Sequence, residues 1–352
     1  MRQINFTKAI NEAYIEAMRL NKNVIAYGLG IDDPKGIFGT TLGLKELFGE
    51  DRVFDMPTAE NAMTGVAIGA SLNGIRPVMC HQRIDFFLLA MDQLINNAAK
   101  WHFMFGGQSS VPITIRLIIG RGWGQGPQHS QSLQALFAHI PGLKVVMPFS
   151  PYDAKGLLIS AIEDDNPVIF IEHRWLHNIT GHVPEGIYKV PLGKSKIVKE
   201  GRDITIVASS YMTLEAIRAA EMLKEHSITA EIIDLRTIKP LDEDSILSSV
   251  KKTGRLIVVD GANRSFGVAA EVLALTAEKG FDILKCAPRR VAFEDTLTST
   301  SWALANHYYP RAIDVAEAVK EMFNISGVSD KNAGPCLNIP LDVPDKYFTG
   351  PF

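Results

Sequence analysis

The chain has 352 residues, a formal net charge of −3 at pH 7 and 46% hydrophobic residues. This length exceeds one ordinary hydrophobic core and predicts two domains. The near balance of charges, without a basic block, argues against binding to nucleic acid or to a membrane surface. The longest apolar-rich stretch, residues 86–105, contains Asp92 and Lys100, so it does not predict a membrane span.

The N-terminal residues lack the basic start and apolar run of a secretory signal, and we expect a cytoplasmic protein. The three cysteines, Cys80, Cys286 and Cys336, are odd in number and far apart in the sequence. Their spacing is not that of a zinc or iron–sulfur site. We therefore expect reduced thiols without a catalytic role.

Strands alternate with helices along most of the chain. The first half predicts a helix capped by Thr7, strands at 23–28 and 52–56, a helix of small residues ending at 73–74, a strand at 77–80, a helix at 90–104, strands at 112–119 and 143–148, a helix at 151–163 and a strand at 168–172. The strand at 112–119 is apolar and β-branched, as in a parallel sheet that is buried on both faces.

Residues 173–202 are predicted to be a linker because glycine and proline interrupt any period. The second half predicts strands at 204–208, 230–235, 255–260 and 290–293, and helices at 213–224, 242–252, 268–279 and 313–323. This alternation predicts an α/β fold with two parallel-sheet domains, residues 1–185 and 186–324. Prolines and apolar residues in the last segment, 325–352, predict an extended tail.

A glycine-rich loop follows the strand at 112–119. Residues 120–132 read GRGWGQGPQHSQS, and an apolar run with helical spacing follows His129 at Leu133, Leu136, Phe137 and Ile140. Glycines allow the backbone to approach a ligand, and open α/β sheets bind ligands beyond the carboxyl ends of their strands. We predict a site here, with His129 held by a helix that starts directly after it; a structural loop histidine is the alternative.

Glu60 lies in the first turn of the predicted small-residue helix. An acidic residue at this place commonly complements the helix dipole. The small residues that follow could pack closely and leave the carboxylate in a dry pocket; they are Ala62, Gly65, Ala67, Gly69 and Ala70. In such a pocket the carboxyl group could exchange a proton with a heterocycle.

Several longer motifs together resemble one family. They are residues 55–69, 90–100, 128–132, 141–148 and 232–242. In this order they are similar to the beta subunits of thiamine-diphosphate-dependent 2-oxoacid dehydrogenases, of the pyruvate or branched-chain type, in the transketolase-like superfamily. The resemblance covers about residues 5–323 and implies a pyrimidine-binding domain at 1–185 and a transketolase C-terminal-like domain at 186–324.

The resemblance implies roles for individual residues. Glu60 matches the glutamate that hydrogen-bonds the cofactor's aminopyrimidine ring and so helps to form the thiazolium carbanion. Phe86 matches the aromatic residue that stacks on the pyrimidine, although an ordinary core aromatic is the alternative. Leu89 occupies a position facing the pyrimidine where relatives can carry a polar residue. His129 matches the histidine near the reacting carbon, where it binds substrate, stabilises the intermediate or assists transfer.

The resemblance also implies a potassium ion where the helix at 151–163 ends. Its ligands would be oxygens of Ala161, Ile162, Asp164 and Asn166, because helix ends present free carbonyl groups and hard cations prefer oxygen. An ordinary helix stop explains the same residues.

The family's diphosphate-binding motif is missing from this sequence. In relatives Gly-Asp-Gly, with a later asparagine, holds the diphosphate and its magnesium ion; the nearest match here, Asp260-Gly261, lacks the first glycine and lies in the second domain. We expect an alpha subunit to supply that motif and the magnesium ion. We also expect a second copy of this chain in an alpha2beta2 assembly, contacted through the helix at 90–104, for which core packing is the alternative.

Some residues depart from the family pattern. Arg121 and Trp123 stand in a loop that usually begins with arginine, proline and glycine, and residues 295–302 replace an Asp-Thr-Pro segment. With His81 near the pocket, these residues suggest a bulkier or anionic substrate.

The sequence thus predicts a subunit of an enzyme that decarboxylates a 2-oxoacid and passes the acyl unit to the lipoyl carrier of an acyltransferase. One alternative is a two-subunit carboligase or transketolase-like enzyme that joins the carbanion to a carbonyl acceptor. The other is a non-catalytic assembly subunit.

Overall fold

The computed structural model describes residues 2–120, 124–325 and 343–344. These residues form two compact units. Unit 1 comprises the chain up to Ile119, Leu136–Leu192 and Thr237–Pro240, and unit 2 comprises the other described residues. Arg121, Trp123, Cys336 and nearly all of the tail lie outside the described residues.

The elements alternate much as the sequence predicts. In the first half they are β1 (Gln3–Asn5), α1 (Phe6–Leu20), β2 (Val24–Gly28), α2 (Leu44–Phe48), β3 (Val53–Phe54), α3 (Glu60–Ser71), β4 (Arg76–His81), α4 (Ile84–Phe87), α5 (Ala99–Met104), β5 (Thr114–Ile119), α6 (Gln134–His139), β6 (Lys144–Val146), α7 (Pro151–Glu163), β7 (Val168–His173) and β8 (Thr180–His182). In the second half they are β9 (Lys196–Lys199), β10 (Ile204–Ala208), α8 (Tyr211–Leu223), β11 (Ala230–Asp234), β12 (Thr237–Lys239), α9 (Glu243–Thr253), β13 (Leu256–Asn263), α10 (Val268–Gly280), β14 (Arg289–Phe293), α11 (Trp302–Tyr308) and α12 (Ala312–Met322).

Unit 1 is built on a seven-stranded sheet in the order β12-β6-β7-β5-β4-β2-β3. Strands β2 to β7 are parallel, and β12 pairs antiparallel with β6 at one edge. The central strand β5 is buried at every position, as its apolar sequence predicts. Helices α1 and α7 pack against each other, and a small antiparallel pair joins β1 to β8.

Helix α1 begins one residue earlier than Thr7. Its N-cap is Asn5, whose side chain accepts a hydrogen bond from the Lys8 backbone N–H at 2.8 Å. Thr7 instead donates its hydroxyl to the carbonyl oxygen of His177 at 3.2 Å. The predicted cap is therefore wrong, because Thr7 has a distant partner that the local sequence does not reveal.

The segment predicted as one helix at 90–104 has three parts. A 3₁₀ turn at Leu88–Ala90 and a π-helical stretch at Gln93–Ala98 precede α5. Within this segment the Asn97 side-chain amide donates to the Gln93 side chain at 3.2 Å. At its end Phe103 is 90% exposed, so this aromatic residue does not belong to the core of the described chain.

Unit 2 contains a five-stranded sheet in the order β14-β13-β10-β11-β9. All neighbours are parallel except β9, which pairs antiparallel with β11 at the edge. Helices α8, α9 and α10 pack on this sheet, and α12 packs on α8. Two parallel-rich α/β sheets therefore define the fold, as predicted.

Two residues of the predicted tail are described, Val343 and Pro344. Val343 is buried, and the Arg311 guanidinium donates to the carbonyl oxygens of Val343 and Pro344 at 3.2 and 3.3 Å. Arg311 also contacts Tyr211 and Glu215 of α8. This short piece of the tail is thus fixed to unit 2.

Across the described ranges, no helix is long and apolar enough to cross a membrane.

Candidate active site

The carboxyl ends of the parallel strands of unit 1 share one edge of the sheet, where open α/β sheets bind ligands. Strands β2 and β4 approach each other closely here. A Cβ atom built on Gly28 would lie 2.2 Å from the carbonyl oxygen of Cys80. The turn after β2 is fixed by a hydrogen bond from the Gly30 N–H to Asp55 at 2.8 Å. The Gln82 side chain donates to the carbonyl oxygen of Leu29 at 3.1 Å.

Glu60 is the first residue of α3, as predicted, and only 5% of its surface is exposed. Its backbone carbonyl accepts the Thr64 hydroxyl at 2.8 Å. Its carboxylate oxygens, in contrast, form no hydrogen bond with any described group. These oxygens are not among the fully buried atoms that lack a partner, so the carboxylate keeps an accessible side to which a hydrogen-bonding ligand can bind.

Phe86 and Leu89 lie in the segment that follows β4. Phe86 is half-buried on α4, whereas Leu89 is 69% exposed in the adjoining 3₁₀ turn. Helix α3 packs against that turn. The fold of unit 1 therefore brings the segment of Leu89 against the helix that begins with Glu60.

His81 ends strand β4 and is 3% exposed. Its ring packs edge-on against Phe87, with centroids 4.9 Å apart. Nε2 of His81 is buried and has no hydrogen-bond partner among the described residues. Burial lowers the pKa of His81 to about 3, so this imidazole is neutral at physiological pH.

Two guanidinium groups lie near the same edge. Arg83 follows β4 and Arg174 follows β7, and both are nearly buried. Burial lowers the pKa of Arg83 to about 10; Asp85 raises it, and the charge of Arg174 adds to the lowering. This positive region did not stand out in the sequence because two distant segments form it.

His129 lies in unit 2, in a 3₁₀ turn at Pro127–His129. The backbone N–H of His129 donates to the carbonyl oxygen of Gly126 at 3.2 Å. A Cβ atom on Gly126 would lie 2.7 Å from the methyl carbon of Thr300, so this glycine is needed for packing within unit 2. The glycines of the loop therefore serve a neighbouring segment of the protein, besides any ligand.

The predicted helix directly after His129 is wrong. Helix α6 begins at Gln134, and Leu136, expected on its buried face, is 41% exposed while Phe137 is buried. Gln134 is itself buried because its amide donates to Asp260 at 3.0 Å.

Asp260 also accepts the Ala269 N–H at the start of α10, at 3.1 Å. Burial raises the pKa of Asp260, although these hydrogen bonds act in the opposite direction. Asp260-Gly261, the nearest match to a diphosphate motif, thus lies within β13 and serves to cap α10.

The turn after α7 was predicted to hold potassium. Its oxygens suit a hard cation, but Arg76 donates to the carbonyl oxygens of Ile162 and Asp164 at 3.1 and 2.9 Å. Lys144 forms an ion pair with the Asp164 carboxylate, which also accepts the Asn166 N–H at 2.9 Å. Arg76 and Lys144 therefore already supply positive charge to the oxygens of this turn. Nowhere in the described chain do three metal-binding side chains cluster.

Comparison with known families agrees with this architecture. Residues 2–178 match the family described as the transketolase pyrimidine binding domain, and residues 193–315 match the transketolase C-terminal domain. A solved structure titled split gene transketolase, inactive beta4 tetramer, is similar in fold, with a TM-score of 0.75 and 23% identity, covering 92% of this chain and 99% of that one. The fold class is thus that of transketolase-like proteins.

Sequence identity to individual proteins identifies the family within this fold class. The chain is 42% identical to the beta subunit of acetoin:2,6-dichlorophenolindophenol oxidoreductase from Bacillus subtilis, over 91% of this chain and 97% of the relative. It is 41% identical to the pyruvate dehydrogenase E1 component subunit beta of the same organism, over 92% and 99%. The chain belongs to the transketolase-like family of beta subunits of thiamine-diphosphate-dependent 2-oxoacid dehydrogenases.

Proposed function

We propose that this chain is the beta subunit of a heteromeric enzyme that decarboxylates a 2-oxoacid and delivers the acyl unit to the lipoyl carrier of an acyltransferase. The observation that carries the proposal is Glu60, a nearly buried carboxylate at a helix start whose oxygens have no hydrogen-bond partner in the described chain. Thiamine diphosphate, when bound, supplies the carbanion nucleophile.

In this proposal Glu60 holds a proton and shares it with a ring nitrogen of the aminopyrimidine. A carboxyl group can do this because it donates when protonated and accepts when ionised. When the cofactor is bound, Phe86 of α4 and Leu89 would be the apolar residues that hold its pyrimidine ring. The packing of α3 on the turn at Leu88–Ala90 supports this grouping.

We assign to His129 the binding of the 2-oxoacid carboxylate and the stabilisation of charge at the reacting carbon. An imidazole suits this role because its ring N–H can donate a hydrogen bond to a carboxylate oxygen. Arg83 and Arg174 add positive potential at the sheet edge of unit 1, which favours an anionic substrate. Every 2-oxoacid carries at least one carboxylate, so a panel that includes larger and dicarboxylic 2-oxoacids tests whether a bulkier or more highly charged substrate is preferred. Turnover of pyruvate alone would contradict that preference.

The chain requires an alpha subunit in this proposal, because the sequence lacks the diphosphate motif. That subunit holds the diphosphate and most ligands of the magnesium ion. Exposed apolar side chains on helices and turns of unit 1 support a covered surface; the most exposed are Phe103 (90%), Leu89 (69%) and Leu20 (64%). We propose an alpha2beta2 assembly that contains a second copy of this chain.

The potassium ion at Ala161, Ile162, Asp164 and Asn166 stays a prediction. Thermal unfolding in potassium chloride and in choline chloride of equal ionic strength tests it. Selective stabilisation by potassium would support the ion. Equal midpoints would assign the turn to Arg76 and Lys144 alone.

A second candidate reaction has the same carbanion but a carbonyl partner, as in a carboligase or in cleavage of a hydroxyketone. The similarity to acetoin oxidoreductase beta subunits from Bacillus subtilis and Cupriavidus necator, at 42% and 43% identity, favours keeping this candidate. A non-catalytic assembly subunit has no need for a buried Glu60 without a partner.

The test is reconstitution of this chain with its alpha subunit. We expect no turnover by this chain alone and, in the complex, reductive acylation of a lipoyl domain by a 2-oxoacid. Glu60→Gln should lower kcat by about 10²–10⁴-fold without preventing assembly, the usual range for a lost general acid or base. A condensed hydroxyketone as the main product would favour the second candidate, and normal turnover of Glu60→Gln would refute the assignment of the site.

A further inference from the structure

His81 is a buried polar side chain at the same edge of the sheet that the proposed mechanism does not use. Its position relative to Glu60 follows from the topology of unit 1. Strands β3 and β4 are both parallel to β2, so the helix α3 that connects them runs antiparallel to β4. The start of α3 therefore lies at the carboxyl end of β4, where His81 is located.

A contact further along the helix fixes the level of the two side chains. The Thr64 hydroxyl lies 3.6 Å from the Met79 sulfur, so this face of β4 is turned to α3. Glu60 lies four residues before Thr64, about 6 Å along the helix axis. His81 lies two residues beyond Met79, about 6.6 Å along the strand and on the same face. Glu60 and His81 therefore lie at the same level of the α3–β4 pair.

The two side chains also have complementary needs. The Glu60 carboxylate accepts no hydrogen bond from the described residues, and Nε2 of His81 is buried without a partner in them. A buried imidazole nitrogen without a partner is unfavourable, whereas the Glu60 carboxylate oxygens are not fully buried. An unpartnered nitrogen at the level of an open carboxylate indicates a local arrangement that is completed when a ligand is bound.

We propose that His81 is a positioning residue for Glu60: its imidazole Nε2 hydrogen-bonds one oxygen of the Glu60 carboxyl group while the other oxygen meets the pyrimidine. This inference rests on the proposed function of Glu60. A neutral imidazole suits the place because its tautomers offer either a donor or an acceptor at Nε2. In the tautomer that carries its proton on Nε2, it donates to the ionised carboxylate.

The charged groups nearest in the chain are Arg83 and Asp85 at the start of α4. Arg116 of the neighbouring strand β5 is in register with Cys80, so it lies on the other face of the sheet, where Glu172 holds it at 2.5 Å. His81 adds no charge to this set because it is neutral. Its effect on Glu60 is thus a directed hydrogen bond, which a substitution can remove without altering net charge.

The test uses the complex with the alpha subunit and two variants, His81→Leu and His81→Gln. Leucine fills a similar volume without polar atoms, whereas the glutamine amide can donate and accept. Thiamine diphosphate affinity is measured by calorimetry across pH, and kcat is measured over the same range. We expect His81→Leu to weaken cofactor binding about tenfold, the factor that one lost hydrogen bond gives. His81→Gln should stay within about threefold of the parent.

The pH profile separates positioning from packing. Loss of a donor raises the pKa of a carboxyl group, so the acid limb of kcat in His81→Leu should move upward by about one pH unit, and His81→Gln should restore it. The control is His226→Gln, since His226 is exposed in a turn of unit 2 at Lys224–His226. Equal affinities and profiles for the leucine and glutamine variants would overturn the inference, leaving His81 a packing residue. Normal turnover of Glu60→Gln would instead refute the proposed function.

Discussion

Unit 1 contains two sets of buried polar side chains that differ in whether hydrogen bonds within the chain satisfy them. In the first, Arg116 of β5 donates to Glu172 at 2.5 Å, to Thr40 at 2.8 Å and to Tyr14 at 3.3 Å. In the second, Glu60 and His81 are as nearly buried, yet their side chains form no hydrogen bond within the described chain. Polar groups that hold a fold are paired within it, whereas groups reserved for a ligand are left incomplete.

The contrast predicts that one substitution, glutamate to glutamine, has different consequences at the two places. Glu172→Gln should lower the free energy of unfolding by about 3–5 kcal/mol, because it leaves the Arg116 charge buried and uncompensated. Urea unfolding of the purified chain measures the change. Asp165→Asn is the matched control, since it removes an exposed partner of Arg76 and should cost less than about 1 kcal/mol. A loss below about 1 kcal/mol for Glu172→Gln would show that this pair does not hold the fold.

Acid should weaken the paired cluster in a defined range. Burial alone would raise the pKa of Glu172, but the Arg116 charge and the His177 contact outweigh it and lower the pKa from 4.5 to about 2. Because the pKa of Glu172 is lower in the folded state, its contribution to the free energy of unfolding is complete above pH 4.5 and is lost as the pH falls through about 2. This contribution is roughly 3 kcal/mol. The stability difference between the parent and Glu172→Gln should shrink over this range, and a constant difference would contradict the pairing.

The smallest expected effect on stability is at the incomplete cluster. Glu60→Gln removes a nearly buried carboxylate without a described hydrogen-bond partner, so the free energy of unfolding should stay constant or rise by up to about 1 kcal/mol. Thermal unfolding of the isolated chain measures this change. A loss comparable to that of Glu172→Gln would mean that Glu60 serves the fold and would remove the contrast.

Much of the fold could be predicted because its signals are local. Apolar β-branched runs marked β5 and β7, and Glu60 was placed correctly at the start of α3. The short strands β9 and β12 were missed because three or four residues carry no period. Pairing partners far apart in the chain were missed as well: Arg76 reaches Ile162, and Gln134 reaches Asp260.

The same limit applies to the candidate site. Sequence motifs selected Glu60, Phe86, Leu89 and His129 one at a time, and these assignments stay predictions. What the motifs could not provide is the level of His81 beside Glu60, which depends on a helix running back along its neighbouring strand. The exposure of Leu136 was likewise invisible, because helical spacing does not say which face meets the core.

Strand β12 has a practical consequence for dissecting the protein. Its three residues come from the second half of the sequence but complete the edge of the unit 1 sheet beside β6. A fragment that stops before residue 237 would expose the backbone donors and acceptors of β6, and open sheet edges promote aggregation. No single cut in the sequence separates the two units, because unit 1 contains residues that follow part of unit 2 in the chain. We therefore expect the full-length chain to be needed for a complete unit 1 sheet.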